Sequence, residues 1–178
     1  MRHQDLVAAR KLVRSKAIRT AGMFYLEHEP AAYTAKSGRV YSIYGSPVCP
    51  RVSRSLRHLT PRSQAAPFYS LGAFQYEPEE AKAIYDRIPP GTNILLTHTP
   101  PLGVCDVTKR GKHAGCPGLA ERLVRDDLQS CRLHVYGHIH EAHGAALVGQ
   151  SEGNPFGRVS VNAALPSVPR PEIGRAHV

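Results

Sequence analysis

Two imidazoles stand two residues apart in Gly137-His138-Ile139-His140, directly after the apolar run Leu133-His134-Val135-Tyr136. Side chains alternate along a strand, so residues i and i+2 share a face, and His138 and His140 are expected to point together from the end of a buried strand. Gly137 leaves room for close approach of backbone or ligand, and Ile139 turns toward the core. A second apolar segment, residues 93–98, also ends in a histidine, His98, and is stopped by Pro100 and Pro101, which cannot continue a ladder. Neutral imidazole is the commonest protein ligand for transition metals. Three of them at the carboxyl ends of neighbouring strands, where open α/β sheets bind their ligands, form a candidate metal cluster of His98, His138 and His140. The plainer alternative for any one histidine is a hydrogen-bonded core or surface residue, and His28, His58, His134 and His143 read that way.

These positions need a scaffold. Residues 1–20 predict an amphipathic helix, with Leu6, Val7, Leu12, Val13, Ala17 and Ile18 mostly on one side, ending near Gly22 and packed on its own domain. Residues 39–46 alternate like a strand. A helix follows over residues 77–88 with Pro78 near its start, and another begins near Pro117 and covers residues 119–128. Residues 144–148 and 158–164 read as two short strands in an antiparallel addition. Strands alternating with helices indicate an α/β architecture. Residues 51–70 lack an apolar period and contain two prolines, which predicts a disordered insertion, and the proline-spaced tail over residues 166–178 is expected to be loose.

The motifs Leu95-Leu96-Thr97-His98-Thr99-Pro100-Pro101, Gly137-His138-Ile139-His140 and Val161-Asn162-Ala163-Ala164-Leu165 resemble the calcineurin-like metallophosphoesterases, in particular the small eukaryotic metallophosphoesterase-domain proteins. Residues 25–29, 44–47 and 72–76 extend the resemblance through most of the chain. It implies an α/β/β/α sandwich, hydrolysis of phosphomonoesters or phosphodiesters, and divalent metal (Mn, Fe, Zn or Mg) in a dinuclear centre. In that pattern His98 and His138 fall at positions that ligate one metal and His140 at a position that ligates the other. The family's Asp-x-His, Gly-Asp and Gly-Asn-His motifs do not occur in this sequence. The chain therefore reads as a single partial domain, residues 1–178, equivalent to the C-terminal half of the family's sandwich.

That absence bounds the chemistry. Two divalent ions supply a nucleophile at neutral pH and a sink for charge on the phosphoryl oxygens, but three neutral imidazoles lack the anionic ligands such centres use for charge balance. Asp106 and Glu141 are the nearest carboxylates in sequence, and if one of them closed a three-histidine, one-carboxylate set, a single zinc-like ion with modest hydrolytic ability becomes possible. Without the family's remaining motifs the expectation is a weakly active or inactive phosphoesterase, and the alternative is a non-catalytic metal-binding or regulatory remnant. A zinc set of Cys105, His113 and Cys116 is weighed against a solvated loop, which the lysines between them favour.

Composition narrows the remaining classes. With 178 residues and 42% apolar content the chain can bury a core, and it contains no run approaching a membrane span of about 18 apolar residues. Four cysteines without Cys-x-x-Cys spacing read as reduced thiols in a cytoplasmic protein. The net charge of +9 lies in two segments, residues 1–20 and 51–62, so a broad nucleic-acid face is not expected, nor a membrane partner. A phosphoester substrate is the expected ligand, and exposed sheet edges are expected to favour self-association.

Overall fold

A computed structural model describes residues 3–50, 74–150 and 155–165, so the predicted insertion and tail fall outside the described residues. The described residues form eight strands and four α-helices: α1 His3–Val13, α2 Lys16–Thr20, β1 Glu29–Thr34, β2 Val40–Ser46, β3 Cys49–Pro50, β4 Gln75–Tyr76, α3 Ala81–Tyr85, β5 Ile94–Thr97, α4 Pro117–Leu123, β6 Leu133–Tyr136, β7 Gly144–Val148 and β8 Arg158–Asn162. Six strands form one sheet in the order β1-β2-β5-β6-β8-β7. Its four central strands are parallel and the two outer strands pair antiparallel. The result is a mixed α/β fold compatible with part of an α/β sandwich.

The parallel register explains the core. Leu95 of β5 lies opposite Tyr44 of β2 and His134 of β6, and His134 opposite Ser160 of β8, so this row shares one face. Tyr44, Leu95, His134 and Ser160 are all buried there. Helices α3 and α4 contribute Tyr85, Leu119 and Leu123 to the same core, joined by Ile88 and Leu128. Each fully buried leucine or isoleucine contributes roughly 1.5–3 kcal/mol. The opposite face carries Leu96, Val159 and Leu147, which are apolar yet 38%, 44% and 52% exposed. The loop joining β5 to α4 packs with little tolerance. A Cβ at Gly115 would run into the carbonyl of Pro101, so Gly115→Ala should lose about 1–3 kcal/mol in chemical denaturation through overpacking.

Several elements depart from the sequence expectation. The N-terminal helix breaks after Val13, and Ser15 caps the short α2, its Oγ accepting from the Ile18 amide at 3.4 Å. Val7 and Leu12 are 60% and 65% exposed, so these two residues of the expected apolar side are not packed away. It is tied instead by Arg10 to Glu27 and by Arg14 to Glu29. Strand β1 had no sequence signal, because Pro30 and its exposed residues fit an edge strand and nothing more. Helix α4 stops at Leu123, and residues Asp126–Leu128 form a separate 3-10 turn. There Asp127 reaches back to Arg122. Strand β8 ends at Asn162 and is antiparallel only to β7, being parallel to β6.

His134 is an ordinary core residue with an unusual cost. Thr97 donates its hydroxyl to the Thr99 carbonyl at 2.8 Å and lies 2.9 Å from His134 Nε2. Nε2 must then carry the proton, which leaves Nδ1 as a buried acceptor with no partner among the described residues. Burial, aided by the charge of Arg158, pushes the ring down to about 3. An unfolded histidine titrates near 6.5, so the neutral ring supports folding above that value and the support is lost as pH falls from about 6.5 toward 3. Urea titrations should show the protein losing about 1.5 kcal/mol between pH 6.5 and 5 from this residue. In His134→Leu that increment should vanish.

Candidate metal centre

Three adjacent parallel strands deliver the site from their carboxyl ends. β2 ends at Ser46 and is followed by Pro47, Val48 and Cys49; β5 ends at Thr97 and is followed by His98; β6 ends at Tyr136, two residues before His138. Backbone bonds carry the ladder past the strand ends, the His98 amide donating to Ser46 O and the Gly137 amide to His98 O, both at 3.1 Å. Cys49 is fixed from two sides. Its amide donates to Phe74 O at 3.0 Å, and the Thr99 hydroxyl donates to Val48 O at 2.9 Å.

His138 sits between the other two side chains. Its Nδ1 lies 3.0 Å from His98 Nε2 and its Nε2 lies 3.5 Å from Cys49 Sγ. One ligand atom from each of Cys49, His98 and His138 can be chosen so that all three lie within 4.8 Å of one another. A tetrahedral ion with bonds of about 2.0–2.3 Å to nitrogen and sulfur sets its ligands roughly 3.3–3.7 Å apart. One ion can take only one nitrogen of His138, so the three side chains must draw in and the His138 ring must turn between its partners to gather on it. The trio could hold a metal ion.

Electrostatics favour the ligating form of the imidazoles. Partial burial lowers His98, although the residue as a whole is exposed. Burial, then repulsion from His98 and His140, lowers His138. Both are held neutral, with lone pairs available. Burial pushes the Cys49 thiol up, so an incoming cation must displace its proton.

Strand alternation does not align His140 with His138. The strand ends at Tyr136, His138 adopts a left-handed backbone with φ of +71°, and His140 opens a 3-10 turn. Alternation has no force once the strand has ended. The positive φ belongs to His138 and not to Gly137, where an added Cβ would meet only Ala164 at 3.9 Å. His140 lies outside the trio, and its Nδ1–H donates to Leu165 O at 2.8 Å. A carbonyl can only accept, so this bond leaves Nε2 as the lone-pair nitrogen, the arrangement a second-metal ligand requires.

Neither carboxylate considered from sequence joins the trio. Asp106 is buried and accepts from the amides of Gly103 and Gly115, both at 3.0 Å, and from His113 Nδ1 at 2.7 Å. Burial raises this carboxyl, but those three bonds together hold it below the usual carboxylate range. Glu141 accepts from the Lys109 amide at 2.8 Å. Both organise the loop after β5. Cys105, His113 and Cys116 do not gather, His113 being held by Asp106 and Cys116 by the Tyr76 hydroxyl at 3.1 Å. Cys49 is the member that sequence reasoning missed. Its signal was its place three residues beyond a strand end, in a segment already singled out for Tyr44-Gly45-Ser46-Pro47.

A cleft of about 500 Å³ opens beside His98, lined by Phe24, Tyr25, Pro47, Phe74 and Leu96 among others. A second, of about 350 Å³ between α4 and the β7–β8 pair, shares no residue with the trio.

Comparison with known proteins agrees with the motifs. Over 66 residues the chain is 44% identical to metallophosphoesterase domain-containing protein 1 of Homo sapiens, covering 36% of this chain and 20% of that protein. The chain is similar to a metallophosphoesterase-related family. Over 111 residues it is 32% identical to a UPF0046 protein of Caenorhabditis elegans, covering 62% of this chain and 24% of the relative. A probable rhamnogalacturonate lyase C of Emericella nidulans is 30% identical over 126 residues, a match that takes in 71% of this chain but 10% of that protein. No family model matches the chain. The matched stretches thus span about a quarter or less of these relatives. Among the described residues no helix is long and apolar enough to cross a membrane.

Proposed function

We propose that this chain forms part of a metal-dependent phosphoesterase acting on phosphomonoesters or phosphodiesters. The observation that carries the reading is the arrival of His98 and His138, beside Cys49, at the carboxyl ends of three adjacent parallel strands. The likeness to metallophosphoesterase-domain proteins supports it. His98 and His138 would hold one ion, and His140, its Nδ1 tied to Leu165 O, would face a second position for which the described residues bring no further donors together. A bound divalent ion supplies electrophilic activation of water and neutralises charge on phosphoryl oxygens. The chain's own contribution is to keep the imidazoles neutral, to fix His98 through its amide bond to Ser46, and to hold His138 in its left-handed turn. Among the described residues no carboxylate joins the trio. Turnover by this chain should therefore be slow. Four free cysteines fit a reducing, cytoplasmic setting.

Purified protein, stripped and reloaded with manganese or zinc, should cleave p-nitrophenyl phosphate or its bis-aryl diester slowly, and His98→Ala should abolish the metal-dependent fraction. Identical rates with and without metal would overturn the hydrolase reading. Metal retention without turnover would favour a non-catalytic, metal-binding role.

A further inference from the structure

The donor set at this site is not the carboxylate-rich one that hard divalent ions use. The three donors that converge are one sulfur and two imidazole nitrogens. The sulfur is placed by structure and not by chance. Val48 is locked by Thr99, Cys49 is paired through its amide to Phe74, and β3 runs parallel to β4, so the thiol is held at the strand ends within 3.5 Å of the His138 ring. Thiolate with imidazole selects zinc-class ions, whereas magnesium and manganese favour carboxylate, carbonyl and water. Three protein ligands also leave one tetrahedral position open, as in hydrolytic rather than purely structural zinc sites.

We propose that Cys49 is a metal ligand and that this chain binds a single zinc-class ion through Cys49, His98 and His138, with the fourth position open to water or a phosphoryl oxygen. The inference rests on the metal site described above and adds to it the ligand, the stoichiometry and the ion class. Binding removes one proton from the Cys49 sulfur to solvent and forms one metal–sulfur bond, with no change of oxidation state.

Cobalt(II) reads this directly, because a sulfur-bound cobalt ion shows an intense thiolate-to-metal charge-transfer band that imidazole ligation does not. Titration of the full chain with cobalt should give that band, saturating near one equivalent. Zinc should erase it at stoichiometric concentration, and a large excess of manganese should not. Cys105→Ser should keep the band. Cys49→Ser should lose it, and Cys49→Asp, which preserves an anionic ligand, should still bind cobalt without it. Cobalt bound with no charge-transfer band, or with a band that survives in both Cys49 variants, overturns the role of Cys49 and leaves the histidine site standing. Failure of the folded wild-type chain to bind cobalt or zinc at all overturns both.

Discussion

His138→Asn should weaken zinc binding by more than about 100-fold, beyond the 10–100-fold that follows removal of a group supporting a ligand. Asparagine is the informative replacement because His138 has φ of +71°. Few side chains tolerate that region, and Asn is among those that do. His138→Ala would mix loss of the ligand with backbone strain. With Asn, the urea midpoint of the metal-free protein should stay close to that of the wild type while calorimetric zinc affinity collapses. A fall in both would assign His138 a folding role. The same variant should reduce metal-dependent phosphoester cleavage to background.

The largest expected loss of stability comes from Arg122→Ala. Arg122 is 3% exposed, donates from Nε to Tyr85 O at 3.2 Å and from Nη2 to Ile88 O at 2.7 Å, and grips Asp127 with two bonds of 2.7 and 2.8 Å. It joins the end of α3 to α4 and to the turn after it. Asp127 is 39% exposed at its side chain, so water can replace its partner and the ion pair itself contributes little. The two buried carbonyls cannot be rehydrated so easily. The expected cost is about 3 kcal/mol, or a Tm lower by roughly 6–12 °C. Asp127→Asn should cost under about 1 kcal/mol by the same reasoning. Equal losses in the two variants, measured by thermal unfolding, would mean that the ion pair and not the carbonyl bonds holds this corner.

The strands that carry the site were legible because their signals are local. Residues 93–98 and 133–136 are apolar runs closed by histidine and by Pro or Gly, and they became β5 and β6. What escaped was set by contacts between distant residues. Cys49 meets His138 across 89 positions, through parallel pairing of β2, β5 and β6 that no local pattern encodes. Strand β1 exists because β2 offers it an edge, not because its own residues demand a strand. The helix expected over residues 119–128 was cut short where Asp127 turned back to Arg122. The shared face assigned to His138 and His140 failed for a related reason. Period-2 alternation holds only while the backbone stays extended, and here the strand ends at Tyr136 and His138 takes φ of +71°. His140 then opens a 3-10 turn, and it is His138 that groups with Cys49 and His98.

A zinc-soaked crystal measured on both sides of the zinc absorption edge tests the central claim most directly. One anomalous peak enclosed by Cys49 Sγ and the ring nitrogens of His98 and His138 is the expected result. A peak elsewhere on the chain, or none at a zinc concentration that saturates binding in solution, would contradict it.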